Sequence, residues 1–280
     1  MKIIFLPLFI GLHFASIQIP GEVQSKPIKL VGGLIHTIVG DDLLGDLLFE
    51  NGTIISIGSN GEAMDTEIID ITGKHVYPGF IAASTTLGLV EINAVRATRD
   101  YNETGSFNPN VRVERAFNPD SELIPITRSN GVLTAHIIPK GGRISGSSAL
   151  MYLDGWTWED CIAETPTGIH INWPNMDLSS NRWDKVNIED KKIKIKDSIR
   201  QLDQFINSVL AYKKKKENLE GIEVDLRLES MIKLLNKEIP AFIHAQKFSQ
   251  IDAAISFSIR YGIRMILVGG ADSYQLSDRL

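Results

Sequence analysis

GKHVYPGFIAASTTLGL, at residues 73–89, divides the chain into two differently patterned parts. From Pro78 onward, short apolar runs alternate with helical patterns, which is typical of βα units and of a parallel sheet. Apolar residues recur at spacings of three and four between about 195 and 216, and this predicts an amphipathic helix. A second helix is predicted around Met231 and Leu235. Six runs are predicted to be strands, namely 79–83, 132–138, 149–153, 168–172, 241–245 and 265–268.

The residues before Pro78 predict a small antiparallel sheet. Asn51-Gly52 lies between two apolar runs, and this dipeptide is typical of a β-hairpin turn. The strand-like runs are 28–39, 44–49, 54–57 and 68–71.

The number of predicted strands bears on the architecture. A closed (β/α) barrel needs eight parallel strands, and an open sheet leaves backbone donors and acceptors unpaired at its edges. The printed chain ends at Leu280, directly after the sixth predicted strand. We therefore expect an α/β fold with an incomplete TIM-like barrel of about six strands, in a truncated product whose relatives run on. The alternative is an open six-stranded α/β sheet that was never a barrel.

Residues 73–89 resemble the first barrel strand of the amidohydrolase superfamily, in particular its imidazolonepropionase-like branch. In that family Pro-Gly, two apolar residues and Asp precede a His-x-His pair. Here Ala82 takes the Asp place, and Ser84 and Thr86 take the two His places. The segment 239–245 resembles the family's pattern of Pro, three apolar residues, His and Ala. The resemblance implies that residues 26–77 are part of a β-sandwich and that residues 78–280 are an incomplete amidohydrolase-like barrel.

The resemblance also implies a function, the hydrolysis of carbon–nitrogen bonds other than peptide bonds, such as those of cyclic amides. The family uses a divalent metal, zinc or iron, which lowers the pKa of bound water and polarises a carbonyl. Its ligands are His-x-His on strand one, Lys or Glu on strand four, His on strands five and six, and Asp on strand eight. His244 matches the strand-five ligand, whereas His170 or Asn172 stands near the strand-four place and Gly269 or Gly270 takes the strand-six place.

One imidazole does not hold a divalent cation alone, because metal sites in proteins use three or four protein ligands. His244 is thus the one candidate metal ligand, and Ser84, Thr86 and His244 are candidate substrate-binding residues. No catalytic residue is assigned. Two hypotheses stay open, a metal-dependent hydrolase and a catalytically inactive barrel that binds a small molecule or a partner.

A polar segment, residues 91–143, separates the first two predicted barrel strands. A loop of this length is usually functional or an insertion, and the loops after barrel strands build the active site. It leads into PKGGRISGSS at residues 139–148, where glycines let backbone amides approach an anion and Arg143 supplies a guanidinium fork. Arg143 is therefore a further candidate substrate-binding residue. The alternative is a tight loop with a solvated arginine.

Charge and the first residues bear on partners and location. The net charge of −5 is spread along the chain, and the only same-sign run is 213–216, so the sequence excludes a clustered basic face for nucleic acid. Met1-Lys2 and the apolar run that follows predict a signal peptide over residues 1–25, with Ala15 as a second cleavage site, and hence a secreted or periplasmic protein with no stable membrane span after cleavage. The alternative for this run is a buried first strand. We expect a small-molecule ligand and allow for a homo-oligomer.

Overall fold

The computed structural model describes residues 19–58, 61–178, 187–219 and 221–280. The chain forms two compact units, Met1–Pro78 and Gly79–Leu280. Most of the predicted signal peptide lies outside the described residues. Within the described ranges, no helix has the length and apolar character needed to cross a bilayer.

The first unit contains one five-stranded sheet. Its strands are β1 (Ile28–Ile35), β2 (Leu43–Glu50), β3 (Thr53–Ile57), β4 (Glu67–Asp70) and β5 (His75–Val76). The predicted hairpin between β2 and β3 is confirmed, with Asn51 and Gly52 at φ values of 49° and 72°, as a tight two-residue turn requires. The prediction of an antiparallel sheet was wrong for β4 and β5, which both run parallel to β1. The reason is that the chain, after β3, comes back to pair with β1, a strand distant in sequence.

The second unit contains a curled, six-stranded sheet of the half-barrel type with the strand order β11-β10-β9-β8-β7-β6. Neighbouring strands are parallel, except that β8 runs antiparallel to both β7 and β9. The strands are β6 (Phe80–Thr85), β7 (Val132–Ile137), β8 (Ile144–Tyr152), β9 (Ile162–Asn172), β10 (Ala241–Ala245) and β11 (Met265–Gly269).

The direction of β8 corrects the prediction that all six strands are parallel. The segment 138–143 is too short for the crossover that parallel strands need, so β8 must return antiparallel to β7. The predicted third strand began at Ala149. This start is five residues too late, so the connection from the second strand was predicted to be longer than it is. Five strands therefore share one direction, and His244 lies on the fourth of them rather than on a fifth barrel strand.

The same reversal places the acidic and aromatic residues that follow β8 at the edge of the sheet opposite the ends of the parallel strands. Asp154 and Trp158 come after the end of β8, which lies at the edge where the parallel strands begin. Trp158 packs there under the Arg115 guanidinium, 4.1 Å from the ring centroid. In a parallel α/β sheet the functional edge is the opposite one, where the strands end.

Helices cover one face of the sheet and connect the parallel strands. The predicted helix at 195–216 is confirmed as the longer α2, whose Asn187 side chain accepts a hydrogen bond from the Glu189 amide at the N-terminus. The second predicted helix divides into α3 and α4. Helix α5 was not predicted, although Ile251, Ala254 and Ile255 recur at helical spacing. The helices are α1 (Leu123–Ser129), α2 (Ile188–Asn218), α3 (Leu226–Ser230), α4 (Ile232–Leu235) and α5 (Phe248–Tyr261), with 3₁₀ turns at Arg96–Thr98, Val113–Ala116 and Ser273–Arg279.

The main core lies between β9–β11 and helices α2 and α5. Ile169 and Ile171 on β9 pack into it together with Ile206 and Phe257 from the helices. Because side chains alternate along a strand, His170, which lies between these isoleucines, faces the other side of the sheet. We call that side, with His136, His170, Phe242 and His244, the inner face.

Candidate functional site

Three histidines from three strands lie close together on the inner face. His136 on β7 and His170 on β9 have ring centroids 6.0 Å apart, and His170 and His244 on β10 have centroids 5.2 Å apart. The Phe242 ring stacks on His170 with centroids 4.8 Å apart. Gly168 permits this packing, because a Cβ there would lie 2.5 Å from Phe242 Cε2. The curled sheet thus gathers one row of aromatic rings.

The imidazole nitrogens are largely occupied by neighbouring groups. His170 Nδ1 and His244 Nε2 share a hydrogen bond of 2.9 Å. His136 Nδ1 donates to the Ala83 carbonyl at 3.0 Å, so its Nε2 is left to accept from the Thr167 hydroxyl at 2.8 Å. His170 Nε2 is buried and has no hydrogen-bond partner among the described residues.

Burial keeps these three rings neutral. It lowers the pKa of His170 to about 2, and the nearby His244 and His136 add to the shift. Burial also lowers the pKa of His136, against the effect of its hydrogen bond to Ala83. The pKa of His244 is lowered by burial first and then by the Lys140 ammonium. Neutral imidazoles can donate and accept hydrogen bonds or ligate metals.

The divalent cation implied by the resemblance does not fit these residues. Across the described ranges, no group of three or more His, Cys, Asp or Glu side chains is placed to hold a metal ion. His170 and His244 direct nitrogens at each other, and His136 is saturated by Ala83 and Thr167. The unpartnered His170 Nε2 is a single donor, and metal sites in proteins use three or four.

The predicted substrate-binding residues on the first barrel strand stay apart from the histidines. Ser84 lies on β6 and is exposed, and Thr86 follows the strand and is half-buried. In the described structure, no hydrogen bond joins Ser84 or Thr86 to His136, His170 or His244. Contact between β6 and the row of rings instead runs through the Ala83 carbonyl.

Arg143 lies at the edge of the sheet where the parallel strands end. Its Nη1 donates to the Asn172 carbonyl at 2.5 Å, and burial lowers its pKa. The Asn172 amide in turn donates to the Gly142 carbonyl at 3.0 Å and to Ser145 Oγ at 2.9 Å. Trp173, the next residue, donates its backbone amide to the His244 carbonyl. Arg143 thus holds the β7–β8 loop at the end of β9, the neighbour of the strand that carries His244, in contrast to the solvated arginine of the alternative reading.

Two members of the histidine row were missed or misplaced by the sequence analysis. His136 was not singled out, and His170 was considered only as the occupant of a metal-ligand place. A usable signal was present, since each of three predicted strands carries one histidine close to its end. Their convergence depends on the curl of the sheet across β8, which no local pattern reports.

Replacing Asn172 by aspartate is expected to destabilise the second unit by about 1–3 kcal/mol. The amide donates to two carbonyl groups and a hydroxyl, and a carboxylate at that place would set its negative charge against the Gly141 and Gly142 oxygens. Urea unfolding measures the change. Asn93→Asp is the matched control, since Asn93 is exposed and its side chain makes no hydrogen bond within the described residues. Equal stability of Asn172→Asp and the parent protein would contradict the role given to this amide.

No protein-family model and no curated protein matches the chain. Among solved structures, an amidohydrolase from Thermotoga maritima MSB8 matches with a TM-score of 0.77 and 27% identity, over 89% of this chain and 66% of that chain. A prolidase solved with N-methylphosphonate-L-proline matches with a TM-score of 0.42 and 14% identity, over 91% of this chain and 64% of that one.

The match to the amidohydrolase is the informative one. It covers most of the chain, and the chain spans just under two thirds of the length of that solved protein. The curled half-barrel sheet and the separate sheet of the first unit are consistent with an incomplete barrel plus a sandwich-like part. The chain therefore has a fold similar to that of a solved amidohydrolase.

Proposed function

We propose that this chain is an amidohydrolase-like protein of the imidazolonepropionase-like branch, a group of hydrolases acting on carbon–nitrogen bonds other than peptide bonds. We further propose that its inner face binds a small polar ligand without a metal ion. One observation carries this second part, namely that His170 and His244 bond to each other, and His136 bonds to the strands, instead of all three rings converging on a common point. The similarity to a solved amidohydrolase supports the first part.

The chemistry of the inner face favours a neutral amide as the ligand. A free nitrogen of a neutral imidazole either donates to an amide carbonyl or accepts from an amide N–H, depending on the tautomer. His244 is half-buried and uses only Nε2 in its bond to His170, so Nδ1 is the nitrogen available to a ligand. Lys140, exposed in the β7–β8 loop, is close enough to influence His244 and adds a cation beside the site. Cyclic amides of modest size satisfy these requirements.

Metal-dependent hydrolysis of a cyclic amide is the second candidate function. The identity of 27% over 89% of the chain to a solved amidohydrolase favours it. The residues of the inner face do not supply the ligands, and we derive no catalytic step through a metal.

Elemental analysis and ligand titration separate the two candidates. After equilibration with zinc or iron and dialysis, we expect well under one metal ion per chain. Hydantoin, a neutral cyclic diamide, should bind saturably in calorimetric titration and should be recovered unchanged. His244→Ala should weaken hydantoin binding about tenfold, whereas the surface change Lys214→Gln should leave it unaltered.

The opposite results have clear meanings. Stoichiometric metal that is lost in His244→Ala, together with ring-opened hydantoin detected by mass spectrometry, would establish the hydrolase. Protein that takes up no metal and does not bind hydantoin would refute the ligand-binding proposal.

A further inference from the structure

We propose that a second small-molecule site lies on the outer side of the sheet and takes a monocarboxylate with an apolar body. A cavity of about 570 Å³ lies there, within the size range of small-molecule sites. Among the residues that line it are Arg112, Ser147, Ile169, Leu226, Glu229 and Lys233.

This cavity is separate from the inner face. Ile169 lines it, and Ile169 belongs to the core between β9 and the helices. Its neighbour His170 faces the other side, since successive side chains of a strand point to opposite faces. The remaining walls come from α3, α4 and the segment 109–112, which pairs with β8 through Arg112 and Ser147. The inference therefore goes beyond the proposed function and does not rest on it.

The apolar part of the lining suits a hydrocarbon or aromatic body. Pro109, Pro166, Ile169 and Ile232 form walls, and Leu226 at the start of α3 is 67% exposed. A ligand that removes exposed leucine surface from water is favoured by the hydrophobic effect. An apolar ligand in the cavity would cover this side chain.

The charges around the cavity leave a place for one anion. Glu229 is already neutralised, because its carboxylate accepts from the Tyr212 hydroxyl at 2.8 Å and from the Lys216 ammonium at 2.5 Å. Arg112 gives Nε and Nη2 to one oxygen of the buried Glu114, at 2.7 and 2.6 Å. Lys233 has no side-chain partner anywhere in the described ranges, so its ammonium is the unpaired cation of the lining.

One further group is available to a carboxylate. Arg112 Nη1 has no partner among the described residues, since both contacts to Glu114 use the other two nitrogens. A guanidinium N–H and an ammonium both form charge-assisted hydrogen bonds with a carboxylate oxygen. The unpaired ammonium and this N–H thus favour one carboxylate in the cavity.

Calorimetric titration of the full chain with 4-phenylbutanoate tests the proposal, with 4-phenylbutan-1-ol as the uncharged counterpart. We expect saturable binding of one carboxylate per chain and at least tenfold weaker binding of the alcohol, because a charge-assisted hydrogen bond is lost. Lys233→Gln should weaken 4-phenylbutanoate binding about tenfold or more. Lys214→Gln, the same change on α2 outside the lining, should leave it unaltered.

A second variant tests whether 4-phenylbutanoate binds in this cavity and does not respond only to the net charge of the protein. Leu226→Asp places a like charge at the rim and should abolish 4-phenylbutanoate binding while circular dichroism shows an unchanged fold. Hydantoin binding at the inner face should be the same in Lys233→Gln as in the parent protein. Equal 4-phenylbutanoate affinity of Lys233→Gln and the parent, equal binding of acid and alcohol, or no saturable binding would each overturn the assignment.

Discussion

Between about pH 7.5 and pH 4.5, the second unit is expected to lose about 3 kcal/mol of its free energy of unfolding through His170 alone. This imidazole is 1% exposed, and its pKa falls from 6.5 to about 2 in the folded chain. Below pH 6.5, His170 is protonated in the unfolded chain but stays neutral in the folded chain. Each further pH unit therefore lowers the free energy of unfolding by about 1.4 kcal/mol. This contribution of His170 to the free energy of unfolding is at its full value above pH 6.5. It falls steadily as the pH approaches the pKa of His170 in the folded chain.

Urea unfolding followed by tryptophan fluorescence measures this dependence. All four tryptophans lie beyond Pro78 in the sequence, so their emission reports the second unit. His170→Phe removes the titrating group and should give a shallower dependence of stability on pH than the parent protein. His75→Phe changes an exposed histidine of the first unit and should leave the dependence seen by tryptophan unchanged. A parent-like pH dependence in His170→Phe would show that this ring is not the cause.

The elements that local sequence determines were predicted closely. The Asn51-Gly52 turn, strands β7, β10 and β11 and most of helix α2 follow from turn chemistry and from hydrophobic periodicity within each element. Each of these signals is complete within the element itself. The same holds for His244, which a short motif around β10 singled out.

Features that depend on distant residues were predicted less well. The direction of β8 depends on the length of its connection to β7, which was misjudged because Ile144 and Ser145 were not recognised as its first residues. The pairing of β4 with β1 joins segments separated by β2 and β3. The histidine row requires β7, β9 and β10 to curl together, and His136 reaches Thr167 only across β8. A local sequence pattern does not report which distant strands lie next to each other.

The largest loss of stability from a single substitution is expected at Phe257. Phe257→Ala should lower the free energy of unfolding of the second unit by about 3–5 kcal/mol, because truncating a buried aromatic loses its transfer free energy and leaves a cavity. The ring is 2% exposed and lies between Trp173 and Tyr261, with centroids 5.4 and 4.9 Å away. It joins helix α5 to the end of β9.

The consequence should extend to the candidate site. The Trp173 amide donates to the His244 carbonyl, so a loosened Trp173 removes a support from the strand that carries His244. Urea unfolding and tryptophan emission together measure both effects, and we expect a red shift of the emission in Phe257→Ala. Phe248→Ala is the control on the same helix, since Phe248 is 44% exposed and should change stability by less than about 1 kcal/mol. If both variants lose equal stability, the contact between α5 and Trp173 is not what secures this edge of the sheet.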